Sequence, residues 1–79
     1  MATALTLYTR EGCHLCDAFL DEMRQFDAQL LSTVTLVDVD ANELHVEQYG
    51  DKVPILLQDD AEICRYFFDA EKIKSCLKL

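Results

Sequence analysis

The chain has 79 residues with 15 acids against 7 bases, a formal net charge of −8, and 51% hydrophobic residues. Such a length and apolar content allow one compact core. The acidic balance opposes nucleic acid and anionic membranes, both of which need a basic footprint, and no apolar run approaches the roughly 18 residues of a membrane span.

Four cysteines accompany only two glycines and one proline. That is not the loop-rich make-up of a secreted disulfide scaffold, so reduced thiols in the cytoplasm are expected. Met1-Ala2-Thr3-Ala4-Leu5-Thr6 has no basic segment leading into an apolar stretch, and no secretory signal is read there.

In chain order, Ala4-Leu5-Thr6-Leu7-Tyr8 is rich in strand formers and ends at polar residues and Gly12, which predicts a first strand over Ala4–Tyr8 and a loop after it. Apolar side chains then recur at Cys16, Phe19, Leu20, Met23, Phe26 and Leu30. This is the spacing of a helix with one buried stripe, expected from Cys13 or His14 to Leu31 and broken by Ser32-Thr33. Val34-Thr35-Leu36-Val37-Asp38-Val39-Asp40 is β-branched and mostly apolar, and reads as a buried strand. Asn42 is an N-cap for a short helix carrying Leu44, Val46 and Tyr49, with His45 on its surface and Gly50 as its stop.

Pro54 can open a strand but not sit inside one, so the third strand begins about there and runs through Ile55-Leu56-Leu57. Gln58–Ala61 is a polar turn, and Glu62–Arg65 closes a hairpin. Of Tyr66, Phe67 and Phe68, two are expected in the core and one outside. Asp69 caps a last helix with Ile73, Cys76 and Leu77 facing inward, while Lys72, Lys74 and Lys78 suit its carbonyl end. Cys64 and Cys76 are read as small core residues.

The order is therefore βαβαββα. Strand, helix, strand implies a parallel pair joined by a right-handed crossover, and the closing hairpin must be antiparallel. An α/β fold with a four-stranded mixed sheet flanked by helices is the compact solution, with residues 1–79 as one unit.

Chemistry concentrates in Thr9-Arg10-Glu11-Gly12-Cys13-His14-Leu15-Cys16, at the strand-to-helix junction. Two thiols at this spacing are a redox pair or half of a metal site. A first helical turn brings Cβ atoms at i and i+3 to about 5–6 Å, and a disulfide needs Cα atoms about 4.4–6.8 Å apart, so the pair can close. A zinc site usually needs four ligands; His14 and His45 are the only histidines and there is no second Cys-x-x-Cys, so no metal site is assigned.

A thiol attacks only as thiolate. At Cys13 the unpaired amides and positive end of the helix dipole favour the anion, as do Arg10 and a protonated His14, while Glu11 and Asp17 oppose it. The expected reaction is thiol–disulfide exchange, with Cys13 attacking and Cys16, partly shielded, resolving.

Leu5–Tyr8, Cys13-His14-Leu15-Cys16 opening a long helix, the Val37-Asp38-Val39-Asp40 strand and Tyr49-Gly50-Asp51-Lys52-Val53-Pro54 together resemble the thioredoxin-like superfamily, and within it short bacterial glutaredoxin-like proteins. The resemblance covers nearly the whole chain. It implies a thioredoxin/glutaredoxin-like fold, a cis-proline at Pro54 facing the dithiol, and backbone hydrogen bonds from Val53 to an extended substrate. It also implies that Arg10 meets a glutathione carboxylate and that Asp69 meets the glutathione amino group. The chain departs from glutaredoxins in His14-Leu15 between the cysteines, in Lys52 before Val53-Pro54, and in Cys64-Arg65-Tyr66 where those proteins carry a glycine pair.

The expected function is a small oxidoreductase that uses Cys13 and Cys16 to reduce protein or glutathione mixed disulfides. Arg10, His14, Val53, Pro54 and Asp69 would form its substrate-binding surface. No tightly bound cofactor is expected; glutathione or a reductase would supply electrons, and the protein would act as a monomer. The alternative is a thioredoxin-fold binding or redox-sensing module without turnover.

Overall fold

In a computed structural model, residues 4–78 are described; the first half of the N-terminal stretch read as lacking a signal lies outside them. The elements are β1 (Leu5–Thr9), α1 (His14–Phe26), α2 (Ala28–Thr33), β2 (Val34–Asp38), a 3-10 turn (Val39–Ala41), α3 (Glu43–Tyr49), β3 (Ile55–Gln58), β4 (Ala61–Arg65) and α4 (Ala70–Leu77). The sheet order is β2-β1-β3-β4. β1 pairs parallel with β2 and antiparallel with β3, and β3–β4 is the closing hairpin. This is the mixed four-stranded sheet expected from the element order.

Side chains alternate across a strand, and the sheet uses both faces. Leu5 and Leu7 of β1 and Leu56 of β3 join Phe19, Met23 and Ile73 from α1 and α4 in the main core. Each such side chain contributes about 1.5–3 kcal/mol on full burial. Register is irregular between Leu56 and Leu57, where Leu56 pairs with Cys64 but Leu57 with Glu62, leaving Ile63 as the extra residue of a bulge. Ile63 and Cys64, although consecutive, thereby both enter the core.

On the other face Tyr8 packs against α3, its ring 4.4 Å from Tyr49 and 5.0 Å from His45. His45 is therefore half-buried between tyrosines rather than a surface residue, and its buried Nδ1 has no hydrogen-bond partner among the described residues. With both faces covered, Ile55, Leu56 and Leu57 are all buried.

Four further expectations need correction. The long helix is two: Asp27 adopts an extended conformation, its amide still donates to the Met23 carbonyl, and its Oδ1 accepts from the Gln29 and Leu30 amides. A short carboxylate that competes for backbone donors stops one helix and caps the next. The apolar stripe continues through Phe26, Leu30 and Leu31, all packed on the core, so its periodicity runs across the break. Second, β2 is an edge strand that ends at Asp38, and Leu36 is 54% exposed. Third, Cys76 is exposed near the end of α4, where Ile73 alone is buried. Fourth, of the three consecutive aromatics only Phe68 packs inward, 5.6 Å from Phe19 and 5.5 Å from Phe26, while Tyr66 and Phe67 are exposed.

Among the described residues no helix is long and apolar enough to cross a membrane.

Candidate dithiol site

The junction between β1 and α1 is a tight turn. The Cys13 amide donates to the Arg10 carbonyl at 3.3 Å, and Gly12 between them has φ +77°. A turn of this kind needs a positive φ at its third residue, which glycine adopts without steric cost. The turn delivers Cys13 as the N-cap of α1, in extended backbone. Its carbonyl accepts from the Asp17 amide, and its Sγ accepts from the Cys16 amide at 3.1 Å. The sulfur thus takes the role usually played by serine or aspartate oxygen at this position. One N–H aims at it from the end of a helix whose dipole favours negative charge.

Cys13 is half-buried and Cys16, one turn on, is buried; neither is disulfide-linked. Burial first, then its hydrogen bond to Cys13, push the Cys16 thiol up to about 12, with Asp17 adding to the rise. The two sulfurs therefore differ in kind. Cys13 is reachable and holds a donor; Cys16 is covered and retains its proton.

Arg10 lies near the cysteines but spends its donors elsewhere. Its Nε and Nη2 donate to the two oxygens of Asp40 at 2.9 and 3.0 Å, and Nη1 donates to the Gly50 carbonyl at 2.9 Å. It ties the β1 loop to the 3-10 turn after β2 and to the end of α3. The guanidinium hydrogen bond holds the Asp40 carboxyl below the usual carboxylate range. Asp40 was missed in the sequence, although the parallel register could have found it. Thr9 pairs with Asp38, so Arg10 and Asp40 leave the same end of the sheet.

The Val53–Pro54 peptide is cis, Pro54 is buried and Val53 half-buried. The Pro54 carbonyl accepts the Tyr66 amide at 2.7 Å, and the Tyr66 hydroxyl donates to the Asp51 carbonyl at 2.8 Å. Tyr66 has φ +69°, an unusual backbone for a bulky side chain. The tyrosine therefore straps β4 to the loop before β3, a contact that the run of three aromatics did not signal. His14, the first residue of α1, is exposed. Asp69 caps α4, its Oδ1 accepting the Lys72 amide at 3.1 Å. Of the residues read from sequence, Arg10, Cys13, His14 and Cys16 share the β1–α1 junction, Val53 and Pro54 share the loop before β3, and Asp69 serves a helix end beside Cys64.

A four-stranded β2-β1-β3-β4 sheet, a close cysteine pair at the first turn of α1 and a cis-proline before β3 define a thioredoxin-like protein. Within that class the chain belongs to the glutaredoxin-like domain (DUF836) family, whose model matches residues 4–78. It is similar to protein Ne2328 from Nitrosomonas europaea, with 32% identity over 96% of this chain and 92% of that one and a TM-score of 0.79. A protein from X. campestris is also 32% identical, over 95% of this chain and 96% of the other, with a TM-score of 0.75. Fasciola hepatica thioredoxin, at 16% identity over 96% of this chain and 78% of its own, has a TM-score of 0.57 and shares the fold. No curated protein matches the chain.

Proposed function

We propose that the protein is a small thiol–disulfide oxidoreductase of the cytoplasm that reduces protein or glutathione mixed disulfides. The observation that carries this reading is the Cys13 sulfur at the helix N-cap, accepting the Cys16 amide at 3.1 Å with the Cys16 thiol buried beneath it. A thiolate at Cys13 attacks one sulfur of a substrate disulfide. The Cys13–substrate bond forms, the substrate S–S bond breaks, and the departing sulfur takes up a proton. Cys16 then loses its proton and attacks Cys13, so that the Cys13–Cys16 disulfide forms and the second substrate thiol leaves. The substrate gains two electrons and two protons from the dithiol. A dithiol reductase or two equivalents of glutathione return them.

The high proton affinity of Cys16 fits this order. Once Cys13 is held in a mixed disulfide, its negative charge no longer opposes Cys16, and burial and Asp17 are left to raise the resolving thiol. Val53 and Pro54 would line the approach of an extended substrate, with His14 and Arg10 beside the sulfurs and Asp69 farther along. The protein would act as a monomer with no tightly bound cofactor.

The test is the reduction potential of the Cys13–Cys16 couple together with turnover of a mixed disulfide in the presence of glutathione or thioredoxin reductase. Turnover lost in Cys13→Ser supports the reading; unchanged turnover in that variant would sink it. A second reading, a docking or redox-sensing module without turnover, is favoured by exposed Leu15, Tyr66 and Phe67. It predicts partner binding that differs between oxidised and reduced protein while turnover stays at background.

A further inference from the structure

We propose that Asp40 sets the charge preference of this site, so that the dithiol reacts fastest with disulfides flanked by cationic groups and slowest with anionic ones. This rests on the oxidoreductase reading and names its substrate class: protein disulfides with basic side chains nearby.

A cleft of about 340 Å³ runs beside Cys16, and Glu11, Asp17 and Asp38 contribute three carboxylates to its lining, against Arg10 as its one cation. Arg10 would be the natural anchor for an anionic substrate, but Asp40 holds it. Both carboxylate oxygens are engaged, and the third nitrogen donates to the Gly50 carbonyl. A guanidinium locked bidentate to a carboxylate presents no net charge and little free donor geometry to a ligand.

The cations near the Pro54 loop are compensated in the same way. Lys52 lies 3.1 Å from the Asp51 carboxylate, and Arg65 makes two 2.9 Å hydrogen bonds to Glu62. With each of these cations paired, the charge left beside Cys16 is that of the acidic residues lining the cleft. The chain as a whole carries −8. Fields of this kind change encounter rates by about 10-fold or more, and they fade as the Debye length contracts from about 10 Å at 0.1 M salt to about 3 Å at 1 M.

The experiment is stopped-flow oxidation of the reduced protein by three small disulfides: doubly cationic cystamine, neutral hydroxyethyl disulfide and anionic oxidised glutathione. Wild type should react in that order, with cystamine at least roughly 10-fold faster than oxidised glutathione at low salt, and the spread should collapse at high salt. Asp40→Asn, which frees the Arg10 charge, should raise the oxidised-glutathione rate severalfold relative to the hydroxyethyl disulfide rate of the same variant. Glu11→Gln, at an exposed position, should narrow the spread in the same direction and does not depend on the fold tolerating a change at Asp40.

Equal salt-independent rates for the three disulfides, or a cystamine-to-glutathione ratio unmoved in both variants, would overturn the proposal. Failure of the dithiol to react with even the neutral disulfide would instead remove the oxidoreductase reading, and the proposal with it.

Discussion

The four cysteines form two contrasting sets. Cys13 and Cys16 stand at the amide end of α1, whereas Cys64 lies in the core at the end of β4 and Cys76 is exposed in the last turn of α4. Each set has one reachable and one buried thiol, so exposure alone does not separate them. Position relative to a helix does. Cys13 meets an N–H donor and the positive end of a dipole. Cys76 sits where α4 presents carbonyls, which offer a thiolate nothing. The burial of Cys16 serves the site because its partner is three residues away. Cys64 has buried hydrophobic neighbours, and burial raises its thiol too, although the Asp69 amide partly offsets this. The fold sets one pair at the start of a helix; of the other it packs Cys64 and leaves Cys76 exposed.

The largest effect that would break this contrast is on turnover. Cys13→Ser should reduce disulfide reduction to the uncatalysed rate, and Cys16→Ser should accumulate a mixed disulfide on Cys13 that mass spectrometry detects. Cys64→Ala and Cys76→Ala should keep the wild-type rate. Loss of turnover in either of the latter would mean that the second set takes part in the chemistry.

The fold was legible because its signals are local and consistent: a strand before Gly12, a 3.6-period stripe from Cys16, a proline that opens β3 and a hairpin turn after it. The cysteine pair was legible for the same reason, since its spacing and its place before a helix are both written in eight consecutive residues. The rest depends on contacts across the chain. Asp40 becomes part of the site only because β1 and β2 run parallel in register. The outward turn of Cys76 follows from α4 being only 8 residues long, with Ile73 and Leu77 enough to fill its packed side. Asp27 falls inside the periodic stretch, but its extended backbone reflects a choice between helix and cap that periodicity does not weigh.

A second test compares the two buried thiols through pH. Folding favours the neutral Cys16, whose thiol rises from the ordinary 9.0 to about 12. The folded state therefore binds more protons than the unfolded chain over that interval, and stability falls as pH rises through it. This contribution is complete below pH 9.0 and is lost towards about 12. Cys64 acts with the same sign. Thermal melts of reduced protein should drop across this window more steeply than those of Cys16→Ala, which has no thiol to ionise. Parallel curves would show that Cys16 is not held neutral by folding.

Smaller effects concern packing and backbone. Cys64→Ala removes a sulfur from a site that is 3% exposed and should cost about 1–2 kcal/mol in denaturant unfolding. Gly12→Ala places a Cβ where there is open space but at φ +77°, so its cost comes from backbone strain and not from collision. It should be about 1 kcal/mol, accompanied by slower turnover because the turn carries Cys13.

The smallest stability effect belongs to Cys76, and it gives the sharpest comparison with Cys13. Cys76→Ala should shift stability by no more than about 0.5 kcal/mol, as for an exposed residue. Cys76 is the more exposed of the two thiols, so faster labelling at Cys13 reports environment and not access. At neutral pH Cys13 should label roughly 10-fold faster than Cys76, because only Cys13 has an amide donor and a helix N-terminus to hold its thiolate. Peptide-resolved alkylation of the reduced protein gives both rates in one experiment. Equal rates would mean that the Cys16 amide and the dipole of α1 do not activate the sulfur they point at, and the distinction between the two sets would reduce to spacing alone.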